Sequence, residues 1–202
     1  MNPGQQAIIV VSVVLVVWYV AFSWVNRKRG VALYHWLRRG AEVLGPVSGA
    51  GWIGSAANGG QMVVEKAAPP FSRVELTFLL QSREILPLWL FNLWRGKRDE
   101  LILKISLRNA LLREVEAVPA VQAAAVPEGY VVGEPCGGLR VAVKGEPVGK
   151  SLRSFLERYG EHITLFSLKR AKPHLIIRLR LETGLDAVPS ETLFRDLQRI
   201  FS

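Results

Sequence analysis

Cysteine is almost missing from this chain: Cys136 is the one example in 202 residues. A single thiol excludes an intrachain disulfide and fits a reducing compartment better than an oxidising one. Histidine is scarce too. His35, His162 and His174 are too scattered to match the spacing of a metal-binding pair, so no metal site is expected. No G-x-S-x-G, H-E-x-x-H or Walker pattern occurs. Acidic residues are outnumbered, 17 Asp+Glu against 26 Lys+Arg, for a net charge of +9. An anionic neighbour is therefore expected, and lipid headgroups and nucleic acid are the two obvious kinds.

Charge is absent altogether from the first 26 residues, and this is the most informative absence. Ala7 to Val25 reads AIIVVSVVLVVWYVAFSWV. At about 1.5 Å rise per residue a helix of that length spans the hydrocarbon of a bilayer. Valine disfavours a helix in water, but lipid offers the backbone no partner other than itself. Ile8 and Val14 lie in the apolar body, while Trp18, Tyr19, Phe22 and Trp24 crowd one end as an interfacial belt would. Arg27, Lys28 and Arg29 follow as a basic stop. The charge asymmetry predicts a single-pass signal-anchor in the cell membrane, with the N-terminus outside and the remainder cytoplasmic. A cleaved signal peptide is the rival, because Ala21-Phe22-Ser23 places small residues at the cleavage-relevant positions. Against it stand the missing basic n-region and the cations that follow the apolar run.

The expected organisation has three parts. Residues 1–29 are a transmembrane anchor with its stop. Residues 30–60 are a juxtamembrane amphipathic helix and a glycine-rich connection. Residues 61–202 are an α+β domain, a mainly antiparallel sheet with flanking helices and a candidate seam near 109–128. Leu33, Trp36, Leu37, Ala41 and Leu44 give residues 31–44 an apolar helical face. Gly49, Gly51 and Gly54 form a G-x-G-x-x-G, but a helical pattern precedes it, the reverse of a dinucleotide site. It reads as a flexible connection.

Beyond it, period-two alternation predicts strands over 61–66, 73–80, 101–108, 130–132, 139–144, 163–169 and 174–182. Pro119 opens a candidate short helix that ends before Pro127. Ser151 and Ser190 are candidate caps of two further helices, the second with a stripe of Leu193, Phe194, Leu197, Ile200 and Phe201. Two hairpins echo each other at a constant offset: Lys66-x-Ala68-x-Pro70 and Lys169-x-Ala171-x-Pro173.

The segment Ile85 to Arg98 is the most unusual outside the anchor. Leu88, Trp89, Phe91 and Trp94 sit among other apolar residues, and Arg95, Lys97 and Arg98 follow. It is too short to span a bilayer. Two expectations compete: contact with an anionic membrane interface or a protein partner, or burial as core.

Catalytic, cofactor-binding and metal residues are expected to be none. Cys136 would need a base such as His162 or His174, and no spacing pairs them. Glu114 and Glu116 read as a solvated face. Arg178 and Arg180, with Lys169, Arg170 and Lys172 nearby, lack the interleaved aromatics of a nucleic-acid surface. The leading expectation is a membrane-anchored interaction or scaffold module whose partner is the lipid bilayer, with a protein partner on the domain. The alternatives are a membrane-bound enzyme of unknown chemistry and a tethered nucleic-acid-binding domain.

Overall fold

The computed structural model describes residues 2–109, 113–122, 128–181 and 184–201. A single helix, α1, runs from Pro3 to Leu44. At about 1.5 Å per residue it is roughly 63 Å long. Between the apolar span and the amphipathic segment there is no break, because Asn26 to Gly30 contains no proline and its one glycine is used for packing. The two expected helices are therefore one rod.

Only the second half of that rod is covered by protein. Residues 2–17 are all exposed, whereas Asn26, Gly30, Leu33, Trp36, Leu37, Gly40, Ala41 and Leu44 are buried. Steps of three and four keep these eight on one stripe. A Cβ on Gly30 would collide with the carbonyl oxygen of Ala56, and one on Gly40 with the ring of Phe194. Glycine inside a helix costs about 1 kcal/mol relative to alanine. Here it lets the rod approach the fold closely.

The strands are β1 (Gly49–Trp52), β2 (Gly59–Val64), β3 (Phe71–Leu79), β4 (Glu100–Leu107), β5 (Arg113–Pro119), β6 (Val131–Val132), β7 (Leu139–Gly145), β8 (Ile163–Leu168) and β9 (Leu175–Arg180). Three further helices are α2 (Leu86–Trp94), α3 (Lys150–Tyr159) and α4 (Ser190–Arg199). Among the described residues the strands form one sheet in the order β1-β2-β3-β4-β9-β8-β5-β7-β6. Every neighbouring pair is antiparallel. The α+β class is thus observed.

One face of the sheet is the core. Phe71, Val74, Leu76 and Phe78 of β3, Leu101, Leu103 and Ile105 of β4, and Leu175, Ile177 and Leu179 of β9 have no exposed surface. Helix α1 packs on α4 and on β2 and β3, and α3 packs on α4. Phe155 of α3 meets Phe166 of β8 at 6.4 Å between ring centroids. Alternation sends the intervening residues to the other face, which no helix covers along its length: Glu75 and Thr77, Ile102 and Lys104, Ile176 and Arg178.

Several expectations change. The glycine-rich segment is not a loose connection, since it holds β1 and the first residues of β2, in register from Gly49↔Val63 to Trp52↔Gly60. The core starts well before residue 61, because Leu33 to Leu44 belong to it. The described part of 109–128 contains β5, which pairs with β7 and β8 inside the same sheet. The expected helix after Pro119 falls largely on 123–127, outside the described residues. The turns of the two echoing hairpins both carry a cis X–Pro bond, Pro69–Pro70 and Lys172–Pro173.

Neither serine expected as a cap takes that position. Helix α3 already begins at Lys150. Ser190 Oγ donates to the carbonyl of Trp36, while Trp36 Nε1 donates to Val188 O at 2.8 Å. A cap position lies at a helix start, and a tertiary partner there has displaced the local one. Leu197 of α4 has no exposed surface and lies in the shared core. Leu197→Ala is expected to lower stability by about 2–5 kcal/mol. Urea unfolding of the full chain in detergent measures it, and a change within about 0.5 kcal/mol would contradict the packing described.

Candidate functional site

Where α1 enters the sheet, charged and amide groups are buried together. Asp99, just before β4, has no exposed surface. Arg29 Nε lies 2.9 Å from its Oδ2, and Arg83 reaches the same oxygen at 2.8 Å. The backbone N–H of Gln81 donates to Asp99 Oδ1 at 2.8 Å. Asn26, on the same face of α1, donates to Gln81 O at 2.8 Å and accepts from Arg83 at 2.8 Å. A buried carboxylate is tolerable only when paired and hydrogen-bonded, and Asp99 has both. The sequence reading counted Arg29 as a lipid-facing stop charge. The structure instead turns it toward Asp99, leaving Arg27 and Lys28 exposed.

This junction fixes the chain that leads into α2. Trp18 Nε1 donates to Arg83 O at 2.9 Å. Trp18 stacks on Phe22 at 4.0 Å between ring centroids, and Trp89 of α2 completes the cluster at 5.7 Å from Trp18 and 6.1 Å from Phe22. Trp89 is thereby held against the last turns of the apolar stretch, about 14 Å back along the helix from Arg27.

None of α2 is buried. The core alternative for this segment is not what the structure shows, because the described residues bury none of α2. Leu88, Leu90 and Phe91 are each about half exposed, and Trp94 is 84% exposed. Arg95 stands over the Phe91 ring at 5.5 Å, and Lys97 is exposed. Ile8, Val14, Tyr19 and Trp24 of α1 are exposed as well, with Lys28 Nζ 3.7 Å from the centre of the Trp24 ring. Proline at the start of α2 spares an N–H that has no helical partner.

The thiol and imidazoles are engaged elsewhere. The Cys136 thiol donates to Arg153 O at 3.4 Å, and burial, then the charge of Glu157, pushes its pKa up, the opposite of an activated nucleophile. His174 Nδ1 accepts the Leu107 N–H at 2.9 Å. No group of three metal-ligating side chains exists among the described residues. Glu116 pairs with Lys169 at 2.7 Å, and Glu114 accepts from Tyr130 at 3.3 Å. Arg178 and Arg180 lie on the uncovered sheet face, where no described strand residue is aromatic. What the sequence reading missed is Asp99, whose signal was an acid inside a basic run, Lys97-Arg98-Asp99. No family model matches the chain, and no curated protein resembles it in sequence.

Two predictions follow from this geometry. Asp99→Ala removes the carboxylate that Arg29 and Arg83 share and is expected to cost about 3–5 kcal/mol in urea unfolding. A near-neutral change would show that the network does not hold the helix. Burial first, and then Lys172, lower the pKa of His174 from its ordinary 6.5. The folded state therefore binds fewer protons than the unfolded one, so the contribution of His174 is complete above pH 6.5 and declines as pH falls through and below that value. In His174→Gln the stability lost between pH 7.5 and about 5 should be smaller than in the parent chain. Parallel pH profiles would exclude this role.

Proposed function

We propose that this chain is a single-pass membrane-anchored protein whose α+β domain is a scaffold or interaction module held rigidly at the bilayer surface on the cytoplasmic side. The observation that carries the reading is the packing of Trp89 against Trp18 and Phe22. It sets α2 beside an apolar helix stretch that is long enough to cross a bilayer and in which no residue is buried. One such helix near an N-terminus is weak evidence alone, since a signal sequence has the same composition. Here the stretch continues without a break into the domain core, and Trp18 and Phe22 are part of the fold. Cleavage after Ser23 would remove both from their partners.

With α1 across the membrane, α2 rests in the interface beside it. Its leucines, Phe91 and Trp94 face acyl chains, where their exposure ceases to be unfavourable. Arg95 and Lys97, with Arg27 and Lys28, meet anionic headgroups, each contributing about 1 kcal/mol. Two attachments of a rigid body fix its tilt, so the domain stands at a set angle to the leaflet instead of swinging on a tether.

Two measurements on the full chain test this. Labelling of intact cells from outside should reach a reporter at residue 2 and miss one at residue 202; the reverse pattern would refute the cytoplasmic placement. An environment-sensitive dye on Trp94→Cys, in a Cys136→Ser background, should shift to the blue in nanodiscs and be quenched by spin labels on lipid tails. The same dye on Lys104→Cys should do neither. Equal behaviour at the two positions would remove α2 from the membrane.

A further inference from the structure

Between the C-terminal end of α2 and the uncovered face of the sheet lies a cleft of about 710 Å³. Its floor is the α2-side end of five strands, with Leu79, Glu100, Arg180, Leu165 and Val118 among its lining. Its rim is the α2 end itself: Asn92, Gly96, Lys97 and Arg98. The cleft therefore opens beside the helix that the proposed function sets in the headgroup layer.

Three features define what would fill it. The first is charge. Lys97, Arg98, Arg178 and Arg180 line the cleft. Of its two acids, Asp99 is taken up by Arg29 and Arg83, and Glu100 accepts from Thr164 at 3.5 Å. Lys97 and Arg178 have no carboxylate partner among the described residues. The second is an unmet acceptor. Gln81 is only 8% exposed and its Nε2 donates to Lys97 O at 2.8 Å, which fixes the amide with Oε1 on the other side. That Oε1 is buried with no hydrogen-bond partner among the described residues. A phosphate alone does not satisfy it, because an acceptor needs an O–H or N–H. The third is an apolar part of the lining, Leu79, Leu80, Val118 and Leu165, which suits a glycerol or the first carbons of an acyl chain.

We infer that this cleft binds a phosphate-bearing, hydroxylated headgroup, of which phosphatidylglycerol is the simplest lipid example. The phosphate meets Lys97 and Arg178, and a headgroup hydroxyl donates to Gln81. The lipid source rests on the membrane-anchored reading, whereas the chemistry of the cleft does not. A soluble phosphorylated polyol presents the same groups, so the two sources must be separated.

Native mass spectrometry of the full chain in detergent makes the test, with phosphatidylglycerol, phosphatidylcholine or phosphatidylmethanol added. Phosphatidylglycerol should be retained in preference to phosphatidylcholine, which lacks net charge, and to phosphatidylmethanol, which lacks the hydroxyl. Lys97→Ala with Arg178→Ala should weaken it at least about tenfold, since a charge-assisted hydrogen bond contributes a decade or more in affinity. Lys66→Ala with Lys104→Ala removes the same charge outside the cleft and should leave binding unchanged. All four positions are exposed side chains, and melting by circular dichroism verifies the fold of each variant. Equal retention of the three lipids, or equal loss in the two double variants, overturns the inference. Binding of glycerol 3-phosphate that depends on Lys97 and Arg178, without retention of phosphatidylglycerol, would assign the cleft to a soluble ligand and reject the lipid source. Carbonate extraction of membranes reports separately on the anchor, so failure of the anchored reading is distinguishable from failure of the cleft.

Discussion

Asp99 is a carboxylate without exposed surface, and it must be neutralised within the fold or the sheet cannot close around it. The chain meets this demand from two directions. Arg83 comes from the segment before α2, and Arg29 comes from α1. Because both cations converge on one acid, the long helix, the start of β4 and the approach to α2 are positioned together. The glycines of α1 serve the same end: at Gly30 and Gly40 the rod comes close enough to the fold for the polar groups on its stripe to reach their partners.

The consequence is an unusual continuity. An apolar stretch with no buried residue and a core helix are the same element. In a tethered domain a flexible linker would separate the two, but here the helix is continuous from Pro3 to Leu44, and the hydrophobic stripe from Leu33 to Leu44 and the bonds of Asn26 and Arg29 hold its second half to the domain. Helix α2 inherits its place from this. It makes no core contacts of its own, and Trp89 holds it to Trp18 and Phe22. On the reading proposed above, the cost of exposing its apolar side chains is removed by lipid, and the adjoining basic cleft faces the leaflet.

The sheet is asymmetric in the same sense. Helices α1, α3 and α4 occupy one face, and the other stays open, with α2 only at its end. On that open face Lys169 pairs with Glu116, whereas Arg178, and Lys97 on the rim of the cleft, have no carboxylate partner among the described residues.

Much of this protein was legible in its sequence. The apolar N-terminal helix and the alternation of β4 and β9 each depend on local composition or a local period, and each element is where it was expected. The segment from Ile85 to Trp94 announced itself by composition, but composition is the same for a core helix and a membrane-facing one, so its exposure had to come from the fold. The role of glycine was misread around residues 49–60, because whether glycines loosen a chain or admit a close neighbour depends on what lies across from them. Ser190 and Arg29 were given local duties, a cap and a stop, and took distant partners instead. The sequence by itself determined an apolar helix, a basic balance and an antiparallel α+β pattern. Only the tertiary structure decided that the apolar stretch and a core helix are one element and that two cations share Asp99, because burial and charge pairing join residues far apart in sequence, as Arg29 and Asp99 are.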